Sequence, residues 1–115
     1  MTDYRVIPTS VILTFVRLYD ETLIHVADEH KEIGEVFPLL PSAEHAVVTA
    51  ISSPWVVEQS RPDALVYVDM ETTNYAGEPL RIPVKIIEGT LGLVKTFYFA
   101  SSSSNANVVY RRDNG

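Results

Sequence analysis

The chain has 115 residues, of which 46% are hydrophobic and 21% charged, and it contains no cysteine. This length and composition fit one soluble domain, over residues 1–115, that buries a core without needing a disulfide. The lack of cysteine excludes a disulfide framework, a thiolate metal site and a cysteine nucleophile.

The sequence carries no signal for membrane insertion or export. No apolar stretch approaches the ~20 residues that span a bilayer, and the first residues lack the basic end and long apolar region of a signal peptide. We therefore expect a cytoplasmic protein that makes no membrane contact.

The formal net charge of −6 is unevenly distributed. Residues 1–58 carry three basic and nine acidic side chains, whereas residues 59–115 carry six of each. Because phosphate groups are bound by clustered basic side chains, this distribution argues against nucleic acid and against an anionic membrane surface as partners. The acidic half could attract a basic protein partner. The plainer interpretation is a solvated acidic edge that aids solubility.

The first elements of the chain are ambiguous between strand and helix. Residues 11–19 are rich in β-branched side chains, which lose rotamer freedom in helices. We favour a strand there, a hairpin tip at residues 20–21 and a returning strand over residues 22–27. The competing interpretation is a helix capped by Thr9 or Ser10.

The next stretch, residues 28–37, has helical spacing. Ile33, Val36 and Phe37 would lie on one side of a helix, although Gly34 would weaken it by ~1 kcal/mol. A second helix is predicted from residue 42, because Ser42 offers a capping hydroxyl there. Pro54 bars its continuation, and a strand over residues 45–51 is the alternative. The side chains of this helix that would face the core are Val47, Val48 and Ile51.

The clearest pattern is the alternation of side chains in the second half of the chain. Residues 65–71 alternate, which predicts a half-buried strand with Tyr67, Asp69 and Glu71 on its outward face. A polar loop with turn-forming residues follows over residues 72–79.

Two further strands complete a meander over residues 65–100. Residues 80–87 alternate in the same way, and Pro83, which lacks a backbone N–H, predicts an edge position or a bulge there. Residues 88–90 suit a short hairpin connection. The strand over residues 91–100 is apolar on both faces, which predicts a central position covered on both sides.

The end of the chain is polar. Residues 101–107 cannot bury apolar area and are predicted to form a flexible loop. Residues 108–110 could add a short last strand before a polar tail over residues 111–115.

Together these elements predict a β-rich single domain built on a curved antiparallel sheet, with at most one or two short helices in its first half. The meander over residues 65–100 resembles the cone-shaped α+β domains of the nuclear transport factor two-like superfamily. The resemblance implies an alternative fold, in which N-terminal helices pack on the sheet and help to form a pocket. That superfamily has both catalytic and non-catalytic members.

The candidate catalytic residues are Asp69, Tyr67 and His25. In a pocket on a curved sheet, desolvation would raise the pKa of Asp69 and make it a general base, with Tyr67 or Tyr98 as a hydrogen-bond donor. His25 lies in an apolar run and is one of three histidines able to shuttle protons near neutral pH. The alternative is structural: Asp69 pairs with Arg81 or Lys85 on the next strand, and His25 is hydrogen-bonded.

Cofactor and metal chemistry have little support in the sequence, and we expect neither. The alternating charges of Asp28, His30 and Glu32 do not match the spacing of known metal motifs. The chain also lacks a Gly-x-Ser-x-Gly nucleophile turn and a glycine-rich phosphate loop.

The candidate binding residues are Trp55, Tyr98 and Phe97. Trp55 lies between Pro54 and two valines, which suits either a packing role or an interface anchor. We therefore expect a small binding module that forms a homo-oligomer or holds a protein or small apolar ligand. The alternative is a small-pocket enzyme of the isomerase, lyase or hydrolase type that uses general acid–base catalysis on a small apolar molecule.

Overall fold

A computed structural model describes residues 3–102 and 107–112 of the chain. With 44% of these described residues in strands and 27% in helices, the fold is strand-rich, as predicted. The elements in these residues, in chain order, are β1 (Tyr4–Pro8), β2 (Phe15–Tyr19), α1 (Asp20–Glu29), α2 (Lys31–Val36), α3 (Leu40–Ser52), β3 (Val56–Arg61), β4 (Ala64–Thr73), β5 (Pro79–Glu88), β6 (Leu91–Val94), β7 (Tyr98–Phe99) and β8 (Asn107–Arg111).

The strands form one open sheet in the order β1-β2-β6-β5-β4-β3-β8, and β7 pairs with β5. The predicted meander is confirmed, because β4, β5 and β6 are consecutive antiparallel neighbours. The sheet is wider than this meander, and it is mixed, because β2 joins it parallel to β6. Parallel neighbours require a long connection between them, and here that connection includes all three helices and β3 to β5.

One hydrophobic core lies between the helices and one face of the sheet. Each helix contributes to it, α1 through Leu23 and Val26, α2 through Ile33, and α3 through Val47 and Ile51. Burying an aliphatic side chain fully stabilises the fold by about 1.5–3 kcal/mol. The opposite side of the sheet is called the uncovered face below, because none of the helices α1 to α3 packs on it. The sheet side chains in the core include Ile7, Val16, Leu65, Tyr67, Leu80, Ile82, Val84 and Val94.

The predicted hairpin tip at residues 20–21 and the returning strand over residues 22–27 are wrong. β2 ends at Tyr19 and α1 begins at once with Asp20 and Glu21 in its first turn. Carboxylates are favourable there because the backbone N–H groups of a helix start carry partial positive charge. The β-branched composition correctly indicated the strand over residues 15–19 but gave no sign of where it ends.

The described residues contain three helices, one more than the largest number predicted. α2 forms over residues 31–36 despite Gly34. α3 begins at Leu40, two residues before Ser42, and no side chain caps its start. Its helical identity is as predicted, with Val47 and Ile51 buried, and the alternative strand over residues 45–51 is wrong. As the alternative fold expected, the helices pack on the sheet, although two strands precede them.

The alternation along β4 is confirmed, but the faces are the reverse of the prediction. Leu65 and Tyr67 belong to the hydrophobic core, and Asp69 is also buried. Val66 and Val68 point to the uncovered face and are nevertheless buried. Because both faces of β4 are buried, alternation alone did not show which face meets the helices.

Pro83 does not lie at a sheet edge, since β5 pairs with β4 on one side and with β6 and β7 on the other. The backbone oxygen of Pro83 accepts a hydrogen bond from Lys95 N at 3.0 Å. Pro83 therefore faces the gap between the end of β6 at Val94 and the start of β7 at Tyr98. The missing N–H is tolerated because the neighbouring ladder is interrupted there. The single strand predicted over residues 91–100 is accordingly two strands.

The predicted short last strand is present as β8, which pairs with β3 at the outer edge of the sheet. The predicted turn is also present, with Gly89 at φ +54° between the paired residues Glu88 and Leu91. The predicted loop over residues 101–107 and the tail over residues 111–115 lie largely outside the described residues.

Candidate functional site

Tyr67, a candidate hydrogen-bond donor, is buried in the core with no exposed surface. Its hydroxyl donates to the backbone oxygen of Val11 at 2.6 Å. Burial raises the pKa of Tyr67 to about 12, although the Leu13 backbone N–H lowers it in part. The hydroxyl therefore ties the loop between β1 and β2 to the middle of the sheet.

Replacing Tyr67 by phenylalanine is expected to lower the free energy of unfolding by about 1–3 kcal/mol, because a buried hydrogen bond is lost. The raised pKa predicts a second effect. In the folded protein Tyr67 stays protonated above pH 10, where an unfolded tyrosine ionises, so stability falls as pH rises toward about 12. Urea unfolding across this pH range should show a shallower fall for Tyr67→Phe than for the natural chain. An equal fall in the free energy of unfolding of the two proteins would contradict the raised pKa of Tyr67.

Asp69, the candidate general base, lies two residues further along β4 on the same, helix-covered face, with 4% of its surface exposed. Its carboxylate accepts hydrogen bonds from the backbone N–H of Glu71 at 3.0 Å and from the hydroxyl of Thr72 at 2.9 Å. These bonds shape the end of β4, where its pairing with β5 shifts register. Asp69 thus orients Thr72.

His25, the third catalytic candidate, lies on the outer side of α1. Its Nε2 is 3.2 Å from a carboxylate oxygen of Glu29, and 68% and 61% of the two side chains are exposed. Tyr67 and Asp69 are buried beneath the helices, whereas His25 faces solvent. The fold therefore separates His25 from the other two candidates.

The three candidate binding residues lie mainly in packing positions. Phe97 is completely buried, and Tyr98 is half-buried in β7, opposite Arg81. Trp55 is half-buried, and the Arg112 guanidinium lies 4.4 Å from the centre of its ring. The backbone N–H of Arg112 also donates to Trp55 O at 2.7 Å. Trp55 thus holds the end of β8 against the start of β3.

A groove with mixed polar and apolar walls runs beside α3. It encloses about 480 Å³. Ser42, His45 and Thr49 are spaced to lie along one side of the helix, and Thr72, oriented by Asp69, forms the opposite wall. These groups could hydrogen-bond a small polar ligand. His45 is one of the three histidines counted in the sequence, which gave no sign of its neighbours in this groove. The full lining is Phe37, Pro41, Ser42, His45, Ala46, Thr49 and Thr72.

A buried ion pair covers part of the uncovered face, over β3 to β5. Arg81 is 5% exposed, and its Nη1 lies 2.6 Å from a carboxylate oxygen of Glu58 on β3. Its Nε donates to Ala100 O at 2.8 Å, and its Nη2 donates to Ser101 O at 2.9 Å. Arg81 therefore pairs with Glu58, whereas the sequence suggested Asp69, and it holds the segment after β7 against this face.

The uncovered face remains open over β1, β2 and β6. Three large side chains there are strongly exposed: Tyr4 at 49%, Val6 at 46% and Phe15 at 46%. Their neighbours are half-buried or exposed. Residues paired across strands point to the same face, so they form continuous rows, which we call the β1–β2–β6 patch. The rows are Tyr4–Tyr19, Val6–Arg17–Leu93 and Pro8–Phe15–Leu91.

The β1–β2–β6 patch lies next to a free strand edge. In the described sheet β1 pairs only with β2, so its other side presents backbone groups to solvent. The sequence reasoning missed β1, although the alternation of Tyr4 and Val6 with Arg5 and Ile7 was visible. Exposed apolar patches of this kind mark interaction surfaces, and free edges are sites of strand pairing.

The two sides of the sheet differ in charge. The three helices carry seven acidic side chains and one lysine. The β1–β2–β6 patch instead contains Arg17, whose guanidinium lies 5.1 Å from the centre of the Tyr4 ring. It adjoins the exposed Lys85, which pairs with Leu93, and the exposed Glu88, which pairs with Leu91. The acidic excess of the first half is therefore concentrated on the helical side.

Within the described residues, no three histidine or acidic side chains come together in a way that could hold a metal ion. None of the helices in this part of the chain has the length and apolar composition needed to cross a bilayer. Comparison of the chain with models of known protein families, with curated proteins and with solved structures found no match.

Proposed function

We propose that this protein is a binding module that associates with other copies of itself through the β1–β2–β6 patch. The observation that carries the proposal is the exposure of Tyr4, Val6 and Phe15 in adjacent rows of a sheet face. Leaving large apolar side chains in water is unfavourable, and burying them against a protein surface stabilises a complex by ~25 cal/mol per Å² before the costs of association.

The composition of the patch supports a protein as the occupant. Aromatic side chains and arginine are enriched in the parts of interfaces that contribute most to binding. The patch combines Tyr4, Phe15 and Tyr19 with Arg17 on a sheet face, whereas a small-molecule site is typically a concave cavity.

The enzymatic alternative has less support. A general acid–base mechanism needs its groups within reach of one substrate. The hydroxyl of Tyr67 donates a hydrogen bond to a core carbonyl, and Asp69 accepts two hydrogen bonds at the end of β4. His25 lies apart from both, on the outer side of α1.

Substitution of Tyr4 and Phe15 by serine is expected to abolish self-association. The chain with its natural residues should show a mass that rises with concentration in sedimentation equilibrium, and the double variant should stay at the monomer mass. Tyr75→Ser is the matched control, because Tyr75 is an aromatic residue that is 84% exposed in the turn between β4 and β5.

Two outcomes would contradict the proposal. In one, the natural chain stays monomeric at every concentration that its solubility allows. In the other, the Tyr4 and Phe15 variant associates as strongly as the Tyr75 control. Far-UV circular dichroism establishes that each variant keeps the fold.

A further inference from the structure

The helical side of the molecule has an apolar groove with an acidic rim, between α1 and α3. Leu23, Ile24, Leu40 and Pro41 line it, and it encloses about 260 Å³. Ile24 is 52% exposed and Leu40 is 42% exposed, so apolar surface faces solvent here as well. We call this region the α1–α3 groove; its acidic rim residues are Asp20 and Glu44.

The α1–α3 groove and the β1–β2–β6 patch are complementary. Each exposes large apolar side chains. The groove is rimmed by carboxylates, whereas the patch carries Arg17 and adjoins Lys85 and Glu88, so that its basic groups outnumber its acidic one. Such pairing of opposite charges around an apolar centre directs encounter and fixes orientation. From this charge complementarity we infer that the groove of one copy receives the patch of the next, an inference that rests on the proposed function.

A symmetric patch-to-patch contact is less favourable. It would bring together two patches of the same net positive charge, since each has Arg17 and Lys85 against Glu88, and like charges across an interface cost free energy. In the patch-to-groove contact these groups meet Asp20 and Glu44. Glu44 is free to exchange partners, because its ion pair with Arg5 is long, at 3.8 Å, and half of the arginine side chain is exposed.

The contact joins different surfaces, so it is head-to-tail. The groove and the patch lie on opposite sides of the sheet, and one copy cannot fill its own groove. Each added copy leaves one free groove and one free patch, and an assembly of this kind grows unless rotation closes it into a ring. A symmetric dimer would instead stop at two copies.

Two complementary variants test the inference. The patch variant carries Tyr4→Ser and Phe15→Ser and keeps an intact groove. The groove variant carries Asp20→Asn and Ile24→Lys and keeps an intact patch. We expect each variant alone to sediment as a monomer and an equimolar mixture to form a complex of two chains, with twice the monomer mass, because one intact patch and one intact groove remain.

The outcomes separate this inference from the proposed function. The patch-to-groove contact is wrong if the groove variant associates as strongly as the natural chain, or if the mixture stays monomeric. Neither result contradicts the proposed function, which is tested by the natural chain and the patch variant alone. If the natural chain does not associate, the proposed function itself fails. If a double variant loses its circular dichroism signal, a single substitution replaces it: Phe15→Ala for the patch variant and Ile24→Ala for the groove variant. The expected result is the same, monomers alone and a complex of two chains in the mixture.

Discussion

Replacing Arg81 by leucine is expected to lower the free energy of unfolding by about 3–5 kcal/mol, the usual cost of breaking a buried ion pair. The substitution leaves the Glu58 carboxylate, on a side chain that is only 14% exposed, without its guanidinium partner, and it removes the donors to Ala100 O and Ser101 O. Guanidinium chloride unfolding measures the loss. The matched control is Arg61→Leu, because Arg61 is exposed at the end of β3, and we expect little change from it.

A double variant, Arg81→Leu with Glu58→Leu, separates charge from packing. Replacing both partners of a buried pair with apolar residues is often neutral, so the double variant should recover much of the loss. A loss below about 1 kcal/mol for Arg81→Leu alone would contradict the structural role given to this pair, since that is the size of an exposed salt bridge.

The Arg81 contacts also explain where the uncovered face is closed. Val66 and Val68 point away from the helices yet are buried, and Arg81 with the segment at residues 100–101 lies on their side of the sheet. At the other end of the sheet, Tyr4 and Phe15 stay exposed. The β1–β2–β6 patch is one part of this face that the described segment after β7 does not cover; Val108 at the β8 edge, 47% exposed, belongs to another.

Gly92→Ala is expected to lower the free energy of unfolding by about 1–3 kcal/mol, because the added methyl group overpacks the core. A Cβ at position 92 would lie 2.6 Å from Leu13 Cδ1 and 2.6 Å from Val84 Cγ1, closer than side-chain carbons approach one another. Thermal or urea unfolding measures the change. Adding Val84→Ala to Gly92→Ala removes one of the two clashing groups. The double variant should therefore recover part of the stability that Gly92→Ala loses.

Gly34→Ala is the matched control for Gly92→Ala, with the opposite expected sign. Gly34 lies in α2, where an added Cβ would meet only the backbone oxygen of Ala27 at 3.9 Å. Alanine is favoured over glycine in a helix by up to ~1 kcal/mol, so this variant should be more stable. An unchanged stability of Gly92→Ala would contradict the packing of β6 against the loop before β2.

The second half of the fold could be predicted from the sequence because its strands follow one another along the chain. Side chains alternate along β4 and β5, and Gly89 permits the tight connection to β6, so local patterns contain most of the information. Pro83 shows the limit of this reasoning. It indicates a missing ladder bond, but the gap between β6 and β7 that accommodates it depends on residues 95–97.

The first half depended on contacts that local patterns do not record. β2 lies beside β6, which is more than seventy residues later in the chain, and this pairing gives the β-branched residues of β2 their strand conformation. The acidic residues that suggested a turn at positions 20–21 instead begin α1. Only the three-dimensional arrangement separates these interpretations, because carboxylates suit both turns and helix starts.

The candidate sites were limited in the same way. The alternation along β4 correctly predicted that Tyr67 and Asp69 share one face. It did not show that this face is the one that meets the helices. The β1–β2–β6 patch combines three strands whose pairing was not predictable, and the α1–α3 groove requires two helices of which one was predicted as a strand. The sequence did indicate the acidic character of the first half, which the structure places on the helical side.

Hydroxyl-radical footprinting at increasing protein concentration tests the proposed function at the level of single side chains. If copies associate through the β1–β2–β6 patch, oxidation of Tyr4 and Phe15 should fall as concentration rises, while oxidation of Tyr75, which is 84% exposed away from the patch, should stay constant. Oxidation rates of Tyr4 and Phe15 that do not change with concentration would contradict the proposal.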